Sequence, residues 1–468
     1  MNNKNNFETM MRICGYDIVI DFLCDESDCF NSKSRYKDLN KLLTWNINLN
    51  HTMKIKLFNK LGYPSKLIAW DNPLFLVDNI THIFINTDKW LVELFNRFGT
   101  ETLPKIKRLT YCLLNGGPVE LDIDLFRETL TRLNTHSGSP ISHLVEISDP
   151  TKHTRYNLNT FVLPINLVEL HIDNFNEPLK GILPPNLTIL ELGKFNHPLE
   201  ENDLPQKLKN LTMWSFNNAL IPNTLPDSLI DLKFGYFNKP LEKGSLPCNL
   251  KTIDMGYRFN QSLCIDVFSS SLTHLKLGSQ FDQVLRHGVL PPDLLFLDLG
   301  SNFDQPIRKG VLPNSLARLN LGHNFNQFIS KEILPFDLKS LEFGSSKTNL
   351  GFTNNGFNQT INSNTFPQSL TELDMGTTFD KPIQINVFPH SLNKLVFGDS
   401  FNPSSLLPIL DDVLPNELLY LEFGRCFSQE ITNTSIPPNL KYLKISKHYN
   451  KNLLDSMLLR RIKNFVIE

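Results

Sequence analysis

The side chains able to do covalent or metal chemistry are few and scattered in this 468-residue chain. Twelve histidines occur singly, and no His-Glu-x-x-His pair or Cys/His cluster stands at the spacing a metal ion requires. The seven cysteines, Cys14, Cys24, Cys29, Cys112, Cys248, Cys264 and Cys426, contain no Cys-x-x-Cys pair and leave an odd thiol over. Neither a zinc ribbon nor a disulfide framework is favoured, and free thiols fit a reducing compartment. Gly344-Ser-Ser-Lys-Thr has the composition of a phosphate loop without its Gly-Lys-Thr arrangement, and a polar insertion begins at the same place. No Gly-x-Ser-x-Gly elbow is present. His171, His274 and His323 fall at variable places and read as ordinary strand or surface residues. The sequence therefore predicts no catalytic residue, no metal, no cofactor and no enzyme.

The elements that position side chains here are copies of one unit. From about residue 163 the chain repeats Leu-Pro-x-x-Leu-x-x-Leu-x-Leu-Gly-x-x-Phe-Asn. Its aromatic anchors are Phe175, Phe195, Phe216, Phe237, Phe259, Phe281, Phe303, Phe325, Phe357, Phe379, Phe401 and Phe427, with Tyr449 in the last place. They recur every 20 to 22 residues, except for steps of 32 after Phe325 and 26 after Phe401. Leu294, Leu297 and Leu299 typify the run, whose final alternation is that of a short strand with one buried face. The following Gly permits a tight bend, and the Phe stacks on its counterpart one unit away. Pro184, Pro226, Pro313 and Pro415 lack a backbone donor and belong on the turn side, off the strand ladder. After the Phe comes Asn, replaced by Asp282, Asp304, Asp380 or Ser428. The three types share only an acceptor oxygen near the backbone, which predicts an Asx-type turn closed onto a nearby N–H. In the unit near 268, Phe268-Ser stands for Leu-Pro, which puts its turn in question.

The fold class expected is a β-rich repeat solenoid with parallel strands on one face and about 22 residues per coil, which the family resemblance given below makes leucine-rich-repeat-like. A small helical N-terminal module precedes it. The segments are 1–69 (helical module), 70–160 (degenerate repeats), 161–450 (regular solenoid) and 451–468 (C-terminal cap). In the degenerate part, Leu103-Pro-Lys-Ile-Lys-Arg-Leu-Thr-Tyr resembles a unit opening, and His143-Leu-Val-Glu-Ile reads as a strand. Lys plus Arg (46) nearly cancels Asp plus Glu (48). That balance argues against a nucleic-acid partner. No run of 18 apolar residues offers a membrane span, and the polar start Met1–Glu8 is no secretory signal. An intracellular, cytoplasmic protein is expected.

Period-2 alternation sends the residues flanking the strand leucines to the exposed, concave face. Aromatics and Arg there are the best interface anchors, which singles out Phe296, Arg318, Tyr420 and Tyr442. Asp298, Glu342, Glu372, Asp374 and Glu422 tilt the same face acidic and suit a basic patch on a protein partner.

At the Leu-Pro, Leu-x-x-Leu-x-Leu-Gly and Phe-Asn motifs, residues 160 to 450 resemble the FNIP-repeat family, relatives of the leucine-rich repeats. The resemblance implies a horseshoe-like solenoid that binds protein without catalytic residues. Some members carry an N-terminal F-box, a helical module that docks a Skp1-like ubiquitin-ligase adaptor. Ile13, Tyr16, Ile20 and Leu23 lie at helical spacing within residues 1–60, although Gly15-Tyr-Asp-Ile replaces the expected Leu-Pro opening. The alternatives for that module are an F-box and a cap over the first coil. The function expected is a noncatalytic protein-binding scaffold, either a substrate-recruiting F-box adaptor or a purely structural interaction protein.

Overall fold

The computed structural model describes residues 167–172, 175–344, 356–403, 413–454 and 456–467, together with four short strands earlier in the chain. Two compact units divide it, Met1–Met213 and Trp214–Glu468. At Val19–Ile20 a strand forms where the spacing of Ile13, Tyr16, Ile20 and Leu23 predicted a helix, because these residues pair in parallel with His82–Ile83. The rest of the helical module expected over 1–69 lies outside the described residues, as do His143–Ile147 and the lysine of Gly344-Ser-Ser-Lys-Thr.

The first unit holds strands β1 (Val19–Ile20), β2 (His82–Ile85), β3 (Arg108–Cys112), β4 (Arg132–His136), β5 (Glu169–Ile172), β6 (Ile189–Leu192) and β7 (Asn210–Met213). Each pairs in parallel with the next in chain order. The second unit continues with β8 (Asp231–Phe234), β9 (Thr252–Asp254), β10 (His274–Lys276), β11 (Phe296–Asp298), β12 (Arg318–Asn320) and β13 (Ser340–Glu342). It ends with β14 (Glu372–Asp374), β15 (Lys394–Val396), β16 (Tyr420–Glu422), β17 (Tyr442–Ile445) and β18 (Asn464–Ile467). These strands too are parallel and sequential, so each coil lies beside its predecessor. Coil stacking places identical motif positions opposite one another: Leu275, Leu297 and Leu319 align in register.

The motif explains each part of the coil. In Leu-Pro-x-x-Leu the Pro contributes its carbonyl, which accepts the N–H of the Leu three residues on, as Pro313 does from Leu316 at 3.2 Å. Because the bond uses the carbonyl and not the ring, Ser269 substitutes for Pro and closes the same turn on Leu272 at 3.1 Å. The turn that Phe268-Ser put in question therefore forms. Leu294, Leu297 and Leu299 then point inward and are wholly buried, while Phe296 and Asp298 between them keep some exposure. After the strand, Gly300 adopts φ +84°, and a Cβ there would run into the carbonyl oxygen of Gly278 one coil back. Glycine is thus needed for close approach of backbones as well as for the bend.

The anchors form one continuous stack within the second unit. Phe259, Phe281, Phe303 and Phe325 follow one another with centroids 6.0–6.1 Å apart and rings within 8° of parallel. Offset stacking of this kind adds to the burial of each ring. The 32-residue step leaves the stack intact, with Phe325 and Phe357 6.5 Å apart, and so does the 26-residue step, with Phe401 and Phe427 6.1 Å apart. Tyr449 closes the series on Phe427 at 6.0 Å. Its hydroxyl, pushed up to about 12 by burial, donates to the Gln429 carbonyl.

The residue after the Phe acts as the acceptor that its Asn/Asp/Ser alternation requires, but its partner is not in its own turn. Asn238 Oδ1 accepts the backbone N–H of Asn260, Asn260 that of Asp282, Asp282 that of Asp304, and Asp304 that of Asn326, all at 2.8–3.0 Å. The predicted Asx turn is instead a ladder between coils. The next residue reinforces it: Gln283, Gln305 and Gln327 each donate Nε2 to the same oxygen at 2.9 Å. After Tyr449 the tail makes a 3-10 turn (Lys451–Leu453), a short helix α1 (Ser456–Arg461) and β18, and Leu458 and Ile462 are buried.

Candidate functional site

On the open face of the second unit the strands set two outward rows. The first runs His274, Phe296, Arg318, Ser340, Glu372, Lys394, Tyr420, Tyr442, and the second Lys276, Asp298, Asn320, Glu342, Asp374, Val396, Glu422, Lys444. Parallel pairing keeps each row aligned across the sheet, so residues 22 or more apart in sequence become neighbours about 4.8 Å apart.

The sequence-predicted residues gather into two clusters. One spans β11–β14. Phe296 stacks on His274 (5.9 Å between centroids) and carries the Lys276 amine 6.0 Å from its ring, with exposed Arg318 on the next strand. Beside them stand Asp298, Glu342, Glu372 and Asp374. Burial raises the pKa of Asp298 against the hydrogen bond that its Oδ1 accepts from the Gly300 N–H at 2.9 Å. Burial, then the nearby Asp298 charge, raises that of Glu342. Neither Asp298 nor Glu342 has an ion-pair partner among the described residues. Asp374 accepts the Gly376 N–H at 2.9 Å, so Asp298 and Asp374 also close turns.

The second cluster joins β16 and β17. Tyr420 and Tyr442 stack face to face at 4.4 Å. The Tyr420 hydroxyl donates to Glu422 Oε2 at 2.7 Å, and Glu422 Oε1 pairs with Lys444 at 3.2 Å. Burial, helped by that bond to the carboxylate, holds the Tyr420 hydroxyl well above its ordinary range. Lys394 on β15 links the two clusters: its amine is 3.9 Å from Glu372 and 5.7 Å from the Tyr420 ring centroid. The alternation revealed Lys394 as outward-facing but not as the bridge, because both its partners lie on other strands.

A feature that sequence reasoning missed lies at the ends of the strands. A groove of about 570 Å³ runs across the coils over a floor of glycines, Gly235, Gly256, Gly278, Gly300, Gly322 and Gly344. Lys233, Asp254, Lys276, Asp298 and Asn320 form one wall, and Tyr236, Tyr257, Ser279, Ser301 and His323 the other. Trp214, which replaces Gly at the motif position, also lines the groove. The signal was available in the Gly column, read only as a bend. His171, in the first unit, is held by Glu169 and Glu191 at 2.7 Å each, more than the ordinary strand position expected of it.

No group of His, Cys, Asp and Glu able to hold a metal ion occurs among the described residues, and none of their helices is long and apolar enough to cross a membrane. Cys248, Cys264 and Cys426 are free and exposed.

Sequential parallel strands, stacked Phe and a fixed outward register define a leucine-rich-repeat-like solenoid. Within that class the chain belongs to the FNIP Repeat family, whose pattern matches residues 157–194, 195–237, 237–268, 259–302, 303–346, 357–400 and 401–448, well over half of the sequence. Among solved structures, CroV588, described as a circular leucine-rich-repeat protein, is similar at 29% identity and a TM-score of 0.53, covering 84% of this chain and 67% of that one. The Toll–Spatzle complex of Drosophila matches at 15% identity and a TM-score of 0.41, covering 81% of this chain and 42% of that one. An internalin of Listeria monocytogenes matches at 14% and 0.40, covering 73% and 96%. No curated relative matches the sequence.

Proposed function

We propose that this protein is a noncatalytic scaffold that holds a protein partner on the open face of its sheet, through Phe296, Arg318, Tyr420 and Tyr442 set among Asp298, Glu342, Glu372, Asp374 and Glu422. The observation that carries the reading is the strand register. It assembles stacked aromatics, an exposed Arg and two partly buried carboxyl groups without ion pairs on one surface. Aromatic and Arg anchors concentrate binding energy, and carboxylates without a close ion pair favour a basic partner patch. Exposed free cysteines are compatible with a reducing, intracellular setting. The structure places Val19–Ile20 in a strand rather than the helix expected through Ile20. An adaptor-docking module in residues 1–60, which would make the scaffold a substrate recruiter for a ubiquitin ligase, therefore rests on the family resemblance alone.

Affinity capture with the full chain tests the first part. Phe296→Ala and Tyr420→Ala are each expected to weaken partner capture at least tenfold; unchanged capture by both removes this surface. Binding of a purified Skp1-like adaptor to the full chain, lost on deleting residues 1–60, is expected for the F-box reading. No binding leaves a purely structural or interaction repeat protein.

A further inference from the structure

The groove over the glycine column carries charges of both signs, and although Lys276 favours the charged form of Asp298, no two of them approach to ion-pair distance. In register along β8–β11 stand Lys233, Asp254, Lys276 and Asp298. The cations are turned to rings: Lys233 lies 4.7 Å from the Trp214 centroid and Lys276 6.0 Å from that of Phe296, and neither has an ion-pair partner among the described residues. The carboxylates are held in part by backbone, Asp254 accepting the Gly256 N–H and Asp298 the Gly300 N–H, each at 2.9 Å, and Asp298 is also hydrogen-bonded to the Asn320 side chain. The floor between them has no side chains, so an occupant's main chain can approach closely.

Lys233 and Asp298 are three strand spacings apart, about 14 Å, and four residues of extended chain cover about 13–14 Å with side chains i, i+2 and i+4 on one face. Residue i+2 then falls between Asp254 and Lys276, where an amide side chain can donate to one and accept from the other. We propose that this groove binds an extended polypeptide segment bearing opposite charges four residues apart, with a polar uncharged residue midway. Charge complementarity selects this occupant over a sugar, because Trp214 and Tyr236 each carry a cation, Lys233 and Arg258, over a ring face that a sugar would stack on. The inference rests on the interaction reading above and specifies the kind of segment taken.

Nine-residue peptides with blocked ends test it on the full chain. Their cores are Glu-Ala-Gln-Ala-Arg and its reverse, against like-charge versions with two Glu or two Arg. Binding is read by anisotropy of the labelled peptide and by quenching of Trp214, taken as the difference from Trp214→Phe. Both mixed-charge peptides are expected to bind and quench, with the like-charge peptides at least tenfold weaker. Asp298→Asn should weaken mixed-charge binding about tenfold without lowering Tm, since Asn320 already closes the same turn on Gly322 one coil on. Equal binding of mixed- and like-charge peptides, no binding of any, or no effect of Asp298→Asn overturns the proposal. So does quenching by maltopentaose with none by peptide, which assigns the groove to a sugar. If the groove fails while Tyr420→Ala still abolishes partner capture, the broader interaction reading stands without it.

Discussion

Replacing Asp282 tests whether the coils are joined through an acceptor alone. Its Oδ1 accepts two donors from the following coil, the Asp304 N–H and the Gln305 Nε2, each at 2.9 Å, while its own N–H remains bonded to Asn260. Asp282→Ala therefore leaves two donors in the next coil without their acceptor. A hydrogen bond to a charged group is worth about 1.5–3 kcal/mol and an abandoned buried donor costs about 1–3 kcal/mol. Partial exposure of the site keeps the expected total at about 2–3 kcal/mol. Asp282→Asn keeps the oxygen, and Asn260 performs the same task one coil earlier at the same 2.9 Å, so its expected cost is below about 0.5 kcal/mol. Urea unfolding with m compared across variants measures both, and exchange of the Asp304 amide localises the effect. If Asn costs as much as Ala, or if Ala costs nothing, the acceptor ladder is refuted.

Phe303→Ala removes a fully buried ring stacked at 6.0 Å on both Phe281 and Phe325 and should cost about 3–5 kcal/mol by urea unfolding. A cost under about 1 kcal/mol would contradict a packed spine. Gly300→Ala and Gly288→Ala share left-handed φ values of +84° and +81°, but only the first directs its Cβ into a carbonyl, that of Gly278, whereas nothing lies within 4 Å of the second. Gly300→Ala should thus lose about 1–3 kcal/mol more than Gly288→Ala, and equal losses would show that conformation, not close approach, selects glycine. At His171 burial opposes the charged form, but the hydrogen bonds to Glu191 and Glu169 outweigh it and raise the pKa above 6.5. Its stabilisation is accordingly complete below the unfolded value and lost as pH rises through the folded one. Wild type minus His171→Gln, followed by Tm against pH, should shrink across that window; parallel curves would contradict the assignment. Asp298→Asn relieves a buried carboxylate whose pKa is raised, so Tm at neutral pH should hold or rise.

The strands, the turn and the Phe stack were legible because each depends on local pattern multiplied by repetition: Leu294, Leu297 and Leu299 reveal an inward face wherever they recur. The partner of Asn260 was not legible. Its residue type shows an acceptor, but the N–H it meets is 22 residues away at Asp282, and only the stacking of coils brings them together. Pro313 suggested that the ring made the turn, whereas Ser269 shows that the carbonyl suffices. Outward placement of Phe296 and Tyr420 followed from the period-2 alternation, whereas Glu422, expected to be exposed on the same face, is buried between Tyr420 and Lys444. The bond from Tyr420 to Glu422, the Lys444 pair and the bridging Lys394 depend on side-chain reach and cross-strand neighbours, which alternation does not encode. The groove escaped notice because its floor is made of residues without side chains.

Site-specific photocrosslinking tests the binding face most directly. The full chain would carry benzoylphenylalanine at position 296, at position 442, or at position 336, where Phe336 is 75% exposed on the turn edge. Partner adducts at 296 and 442 with none at 336 are the expected result. Adducts at 336 alone would place the partner on the turn edge and contradict the account.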